Sequence, residues 1–375
     1  MRICYIAHAC SPHVYRWAEW FTKRGHEVHI ISPVLPSEVP DELKDVYLHE
    51  LNFDNYSSFI KILPFKSIWL TIFSCRKIIK EIKPDIVQGI DITDFGLPAL
   101  FCGDYPNSVS AWGSDVLIYP KRSMITRLIV KFVAKRAELI HSFAYNLTDE
   151  LISFGADKER IFTISPTICI ENFNIAVNGS KIRKSLGWEN NPVVISVRDF
   201  APVYNIECLI NAVPTIIKEI PDAKFLIKGI GPLEDKLKNM IKEIGISDSV
   251  KIMGHVPYKE LPKYLACADV YVSTALSEGL GIANLESIAC GIPAVLTDIT
   301  SDRNLIKAGL NVHLFPVKNS KILAEKIIYL IKNKQREEIK KENFEIIKEH
   351  YDFDKNMEKI KKLYEDLIEK HKKMK

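Results

Sequence analysis

Two doubly wound parallel α/β domains are the architecture this chain predicts. Three observations lead there. Short apolar, β-branched runs alternate with segments of helical period along the whole sequence, the pattern of parallel strands covered on both faces. That alternation runs twice, on either side of a polar, asparagine-rich stretch. A chain of 375 residues is also long for one hydrophobic core and comfortable for two.

The strand candidates of the first half are "RICYIA", "EVHIIS", "DIVQGI", "SVSAW", "ELIHSF" and "RIFTIS". Those of the second are "VVISVRD", "KFLIKG", "VKIMGHV", "VYVSTA" and "AVLTD". Helical segments lie between them. In "HVYRWAEWFTKRG", Val14, Trp17, Ala18 and Phe21 share one face, and Gly25 marks the stop. The seam falls in "TICIENFNIAVNGSKIRKSLGWENN", residues 167–191, which is polar and weakly periodic. The expected division is 1–170 and 171–352, with a helix over about 353–375 returning to the first domain. Beyond Lys332, runs of Lys, Glu and Ile read as solvated faces of long helices. Ligands of open parallel sheets bind past the carboxyl ends of the strands, so the default site of two facing domains is the cleft between them.

Composition narrows the function class. At 47% hydrophobic and 26% charged, the chain is globular. A net charge of +4 gives no argument for nucleic acid as a partner. The most apolar stretch, "FIKILPFKSIWLTIFSC", is interrupted by Lys61, Pro64 and Lys66, which argues against a bilayer span. "MRICYIAHACSPH" turns polar without a small-residue cleavage site, so no signal peptide is expected. Eight scattered cysteines form no Cys-x-x-Cys pair, which favours a reduced, cytoplasmic chain over zinc or redox chemistry.

The chemistry concentrates in "SEGLGIANLESIACGIP", Ser277–Pro293. "VYVSTA" reads as a buried strand, "LSEGLG" as a strand-to-helix loop, and "ANLESIACG" as a helix closed by Gly291. Gly279 and Gly281 let the backbone approach a ligand closely. The amides of the following helix start suit a phosphate or diphosphate. Glu286, placed in the first turn, would be favoured by the helix dipole and could hold a vicinal diol such as a ribose. Glu278 would face the group attached to the diphosphate. The bland alternative is two glutamates serving as caps and surface charge.

With these residues in view, the stretch resembles the Glu-x7-Glu signature of the retaining GT-B glycosyltransferases of family 4. "VKIMGHVPYKELPKYLACADVYVSTALSEG", "RDFAPVYNIECLINAV", "KFLIKGIGPLEDKLK", "HVYRWAEWFTKRGHEVHIIS" and "AWGSDVL" resemble further segments of that family, in the same order. The resemblance implies a GT-B fold and a nucleotide-diphosphate sugar as donor, bound mainly by the C-terminal domain. It implies an acceptor on the N-terminal side, which in relatives is a glycan, a lipid-linked molecule or a small molecule. It also implies retained anomeric configuration, with no metal and no cofactor beyond the donor. Residue by residue, it puts Glu278 on the donor sugar and Glu286 on the ribose. It puts the amides of Leu280, Gly281 and Ile282 on the diphosphate, beside Gly279. Arg198 would neutralise the departing diphosphate. Gly254, His255 and Val256 would pack the nucleobase.

The sequence departs from the family in three places. Many members carry His-Gly-x-Asp in an N-domain loop. Here the loop is "AWGSD", with Trp112 in the histidine position and Asp115 kept as a catalytic candidate. Tyr204 stands near the family's phosphate-binding lysine and Asn205 near its glycine, so Lys228 at the end of the next strand is a candidate for the missing cation. The first loop, "AHACSPHVYRW", lacks the frequent double glycine and offers His13 and Arg16 to an anionic acceptor.

"YPKRSMITRLIVKFVAKRAELI" combines six basic residues with an apolar face. It reads either as a helix on an anionic membrane surface, making the protein peripheral at the inner face, or as an ordinary helix with a solvated basic side. Two other functions share the fold: a sugar-nucleotide epimerase, and a non-catalytic nucleotide-sugar-binding subunit to which the Trp112 and Tyr204 replacements would point.

Overall fold

A computed structural model describes residues 1–51, 64–333 and 337–374. The chain divides into two compact units, Met1–Ser165 with Lys355–Lys375, and Pro166–Asp354. Residues 59–63 of the apolar stretch at 59–75 lie outside the described residues. Among the described residues no helix is long and apolar enough to cross a membrane.

The first unit carries seven strands: β1 (Arg2–Ile6), β2 (Glu27–Ser32), β3 (Tyr47–Glu50), β4 (Ile86–Ile90), β5 (Asn107–Ala111), β6 (Leu139–Ser142) and β7 (Ile161–Thr163). Their order is β3-β2-β1-β4-β5-β6-β7, and every pairing is parallel. Strands β1, β4 and β6 are buried almost throughout, which their near-continuous apolar sequences require. Three of the unit's helices matter below: α1 (Pro12–Thr22), α2 (Pro64–Ile82) and α3 (Met124–Arg136). The basic amphipathic stretch breaks at Ser123, whose side chain caps α3 by accepting from the Thr126 amide at 3.3 Å.

The second unit carries β8 (Val193–Val197), β9 (Lys224–Lys228), β10 (Val250–Met253), β11 (Val270–Ser273), β12 (Ala294–Thr297) and β13 (His313–Phe315). Their order, β10-β9-β8-β11-β12-β13, is again parallel throughout. Helices α4 (Ile206–Glu219), α5 (Ile282–Ala289) and α6 (Thr300–Lys307) follow β8, β11 and β12. The core joins Leu209 and Val213 of α4 to Phe225, Val272 and Val295 of the sheet. In each unit the strand order reverses once, between β1 and β4 and between β8 and β11. That reversal is the place where ligands settle in such sheets.

Much of the stretch expected as a linker is built into the second unit. Ser180–Leu186 is helical and ends on left-handed Gly187. Arg183 ties it down by donating to the Cys267 carbonyl at 2.7 Å and to Asp269 at 2.7 Å. Helix α7 (Phe353–Met374) belongs to the first unit. It buries Met357, Ile360 and Tyr364, with the Tyr364 ring stacked on Phe21 at 5.8 Å.

Candidate active site

The residues with the most chemistry lie at the reversal point of the second sheet. Arg198 is the first residue past β8, and its amide donates to the Lys228 carbonyl at 3.0 Å. Gly229 makes this approach feasible, since a Cβ there would stand 2.0 Å from the Arg198 carbonyl oxygen. The loop after β11 delivers Glu278 opposite. It ends on Gly281, which caps α5 at φ +71°. A side chain at Gly281 would press 2.7 Å from Asn284 Nδ2, so the loop needs glycine for both reasons.

Arg198 is buried, and its guanidinium is the hub of a polar network. Nη2 lies 3.3 Å from Glu278 Oε1 and also donates to Asn284 Oδ1 in a short hydrogen bond. Nε donates to Ser273 Oγ at 3.3 Å. Asn284 accepts a second bond from the Tyr271 hydroxyl at 3.1 Å and donates to Asp302 Oδ1 at 3.0 Å. Burial opposes the Arg198 charge, but the surrounding Tyr271, Glu278, Tyr204 and Asp302 outweigh it and hold its pKa above the ordinary value. Asp302 is pushed up to about 7 by burial, with Glu278 adding to the rise and Arg198 opposing it. Asp302 Oδ2 is buried without a hydrogen-bond partner among the described residues, and Glu278 Oε1, buried beside Arg198, has the ion pair but no hydrogen bond among them. Such atoms are costly to bury, and an incoming hydroxyl would satisfy them.

Glu286 departs from the expectation. Helix α5 begins at Ile282, so Glu286 is its fifth residue and lies in the second turn, where the dipole has faded. It is held instead by the Tyr258 hydroxyl, which donates to Oε1 at 2.9 Å. Tyr258 in turn packs on buried Phe173, ring centroids 5.3 Å apart. Gly254 and His255 are exposed and Val256 is buried at the end of β10. A Cβ at Gly254 would meet nothing within 4 Å, so the space over it is open. Leu280 is buried and Ile282 half-buried. The amides of Leu280, Gly281 and Ile282 lead into the first turn of α5, where amides have no acceptor within the helix.

The Tyr204 ring centroid lies 5.8 Å from the Arg198 guanidinium. Burial, and then Glu278, raise the Tyr204 pKa, so the group is neutral at physiological pH. Asn205 has φ +48° and starts α4 in the left-handed conformation. This is the backbone shape a glycine takes cheaply, and asparagine is the commonest substitute. The ladder places Lys228 beside Val197.

The acceptor-side candidates gather in the first unit. Asp115 is buried and accepts from the Gly113 amide at 2.7 Å, the Trp112 amide at 3.1 Å and the Ile92 amide at 3.3 Å. Burial and Asp91 raise its pKa against the pull of those amides. Its oxygens organise two loops. Trp112 stacks on Phe143 at 4.0 Å and faces the His13 ring at 5.1 Å. Its buried indole nitrogen has no hydrogen-bond partner among the described residues. The cluster extends to Trp17 and His141. Burial lowers both histidines to about 4, with Arg16 adding to the effect on His13, so both are neutral at pH 7.

Sequence reasoning missed Ser273, Asn284, Asp302, Tyr258 and His141. One signal was available: Asn284 is a polar residue in the otherwise apolar first half of "IANLESIA". Asp302 and Tyr258 reach the site from distant segments and leave no local trace.

Comparison with known proteins bears on the family and the fold. The family model for glycosyl transferases group 1 matches residues 179–346, and that for glycosyl transferase 4-like proteins matches residues 2–143. N-acetyl-alpha-D-glucosaminyl L-malate synthase of Bacillus anthracis is 22% identical over 84% of this chain and 82% of its own. A GDP-mannose-dependent alpha-(1-6)-phosphatidylinositol monomannoside mannosyltransferase of Mycolicibacterium smegmatis is 32% identical over 44% of this chain and 43% of its own. Among solved structures, Anabaena Alr3699/HepE in complex with UDP superposes with a TM-score of 0.79 at 17% identity, covering 98% of this chain and 100% of that one. Sucrose-phosphate synthase from Thermosynechococcus elongatus gives 0.80 at 14% identity, covering 98% and 99%. With one matching family model in each unit, and a fold shared over nearly the whole length, the chain belongs to the GT-B glycosyltransferases.

Proposed function

We propose that the chain transfers a sugar from a nucleoside-diphosphate sugar to a glycan, lipid-linked or small-molecule acceptor, with retained anomeric configuration. The observation that carries this reading is the buried Arg198–Glu278 pair at the reversal point of the second sheet, beside the glycine loop and the start of α5. Arg198 and the amides of Leu280, Gly281 and Ile282 meet the diphosphate, with Gly279 giving it room. Negative charge grows on the diphosphate as the glycosidic bond breaks, and a preorganised cation with aligned N–H groups stabilises it. Tyr204 and Lys228 supply further donors on that side.

Glu278 accepts from hydroxyls of the transferred sugar and Glu286 from the ribose diol, while Gly254, His255 and Val256 border the base. Arg198 supplies the fixed positive charge that a metal would otherwise bring, so the reading has no metal in it. Attack on the face the diphosphate leaves lets its oxygen take the acceptor proton. This fits a first unit in which Trp112 stands where a histidine base would be and Asp115 is committed to main-chain amides. On this reading Asp115 is a positioning residue, and His13, Arg16 and Trp112 border the acceptor.

Thermal shift against nucleoside diphosphates and their sugars identifies the donor, since a ligand bound only by the native state raises its melting temperature. Transfer is then assayed with that donor, and proton NMR of the product reads the anomeric configuration. Glu278→Gln and Glu286→Gln should each lower turnover. Undiminished turnover in both sinks the assigned roles.

A further inference from the structure

We infer that the first unit holds an anionic lipid, its hydrocarbon chain in a groove between α2 and α3 and its hydroxylated headgroup at the carboxyl ends of β1 and β4. The inference rests on the sugar-transfer reading and deepens it by giving the acceptor a class. Three independent features of the unit converge on it.

The first is the groove. A cavity of about 410 Å³ is lined by apolar side chains, among them Trp69, Phe101, Leu128 and Phe132. Phe101 stacks on Phe132 at 5.8 Å and meets Trp69 at 6.2 Å. Leu128 is 60% exposed and Trp69 52% exposed. Isolated exposed apolar residues are ordinary, but a contiguous lined channel marks a surface that something apolar covers.

The second is where the groove leads. It shares Ile68, Leu97, Ile125 and Ile129 with a second cavity of about 520 Å³. That cavity is polar in part, lined by His8, Thr93, Asp94, Ser123 and Thr126. His8 follows β1 and Asp94 follows β4, so the polar end lies at the first sheet's own reversal point. Asp94 and His8 approach to 3.9 Å and can accept from and donate to hydroxyls. A tail-shaped apolar channel opening into a hydroxyl-binding pocket fits one molecule with two ends.

The third is charge. Helix α3 carries Arg127, Lys131, Lys135 and Arg136 with no acidic residue, and Arg136 lies over the Phe132 ring at 4.1 Å. Helix α3, one wall of the channel, is cationic and free of acid, and its Arg136 stands on a ring that lines the channel, which favours a lipid bearing phosphate over a neutral one.

The test is calorimetric titration of the full chain with butyl, octyl and dodecyl phosphate below their micellar concentrations. Affinity should rise by about fourfold per added methylene until the groove is filled, then level off. Leu128→Asp, at an exposed position, should weaken dodecyl phosphate by about tenfold or more. Arg136→Gln should weaken dodecyl phosphate and leave dodecyl maltoside unchanged. A flat chain-length series overturns the inference, as does a Leu128→Asp chain that binds like wild type or differs only in self-association. Uridine and guanosine diphosphate are titrated in parallel. Nucleotide binding with a flat chain-length series sinks the lipid site alone. A rising series in a chain that binds and turns over no nucleotide sugar sinks the transfer reading and leaves the lipid site standing.

Discussion

Arg198 keeps its charge where burial opposes it, because Tyr271, Glu278, Tyr204 and Asp302 outweigh that cost, while Ser273, Asn284 and Glu278 hold the guanidinium in place. The planar fork of arginine reaches three partners at once, which a lysine ammonium on a flexible stem does not reproduce. Arg198→Lys should therefore lower kcat by about a hundredfold or more while the chain remains folded, as judged by circular dichroism. Asp302 offers a stability test. Its folded pKa is about 7 against 3.8 for the free side chain, so between these values the folded state holds a proton that the unfolded state releases. Stability from this group is complete below about pH 3.8 and is lost as the pH rises through 7. Asp302→Asn removes that titration and keeps an oxygen for Asn284. It should melt higher than wild type at pH 8, with the advantage gone at pH 4. An offset that stays constant across that range contradicts the assignment.

Two tight turns set the element scale. Gly281→Ala meets both a positive φ and a contact of 2.7 Å with Asn284, the residue that steadies Arg198. It should cost about 1–3 kcal/mol in denaturant unfolding and weaken nucleotide binding as well. Asn205→Ala should cost about 1 kcal/mol, whereas Asn205→Gly should stay within about 0.5 kcal/mol of wild type. Equal losses in the two Asn205 variants would remove the conformational explanation. The same scale shows what the sequence made legible. Buried parallel strands such as "VVISV" and "RICYI" announce themselves because both faces are apolar. Edge strands β3, "YLHE", and β13, "HLF", do not, being short and partly exposed. The Glu-x7-Glu pattern located the loop and helix, but the helix register was read too late, because Gly281 already serves as the N-cap.

On the scale of the molecule, the α/β class and the doubling were legible from alternation alone. The polar network was not. Arg198, Asn284 and Asp302 come from three separate strand-helix units and meet only when the sheet is assembled. The seam illustrates the same limit. Its polarity was evident, yet Arg183 turns part of it into a docked helix through contacts with residues more than eighty positions away. Helix α7 provides the prediction at this scale. It places Tyr364 on Phe21, donates from Asn356 to the Ser165 carbonyl at 2.9 Å, and sets Glu358 3.3 Å from Arg24. Ending the chain at residue 354 should leave the first unit open to limited proteolysis while a fragment spanning the second unit survives. Equal resistance of both units would show that α7 is dispensable.

That last helix also sets the order in which the chain can be finished. Residues 1–165 leave the ribosome first, yet the surface around Phe21 waits for residues 355–375, made after the entire second unit. The first unit is begun before the second and completed after it. A nascent chain therefore carries an apolar seam through most of its synthesis, so chaperone dependence and sensitivity to late nonsense mutations should trace to the amino-terminal half.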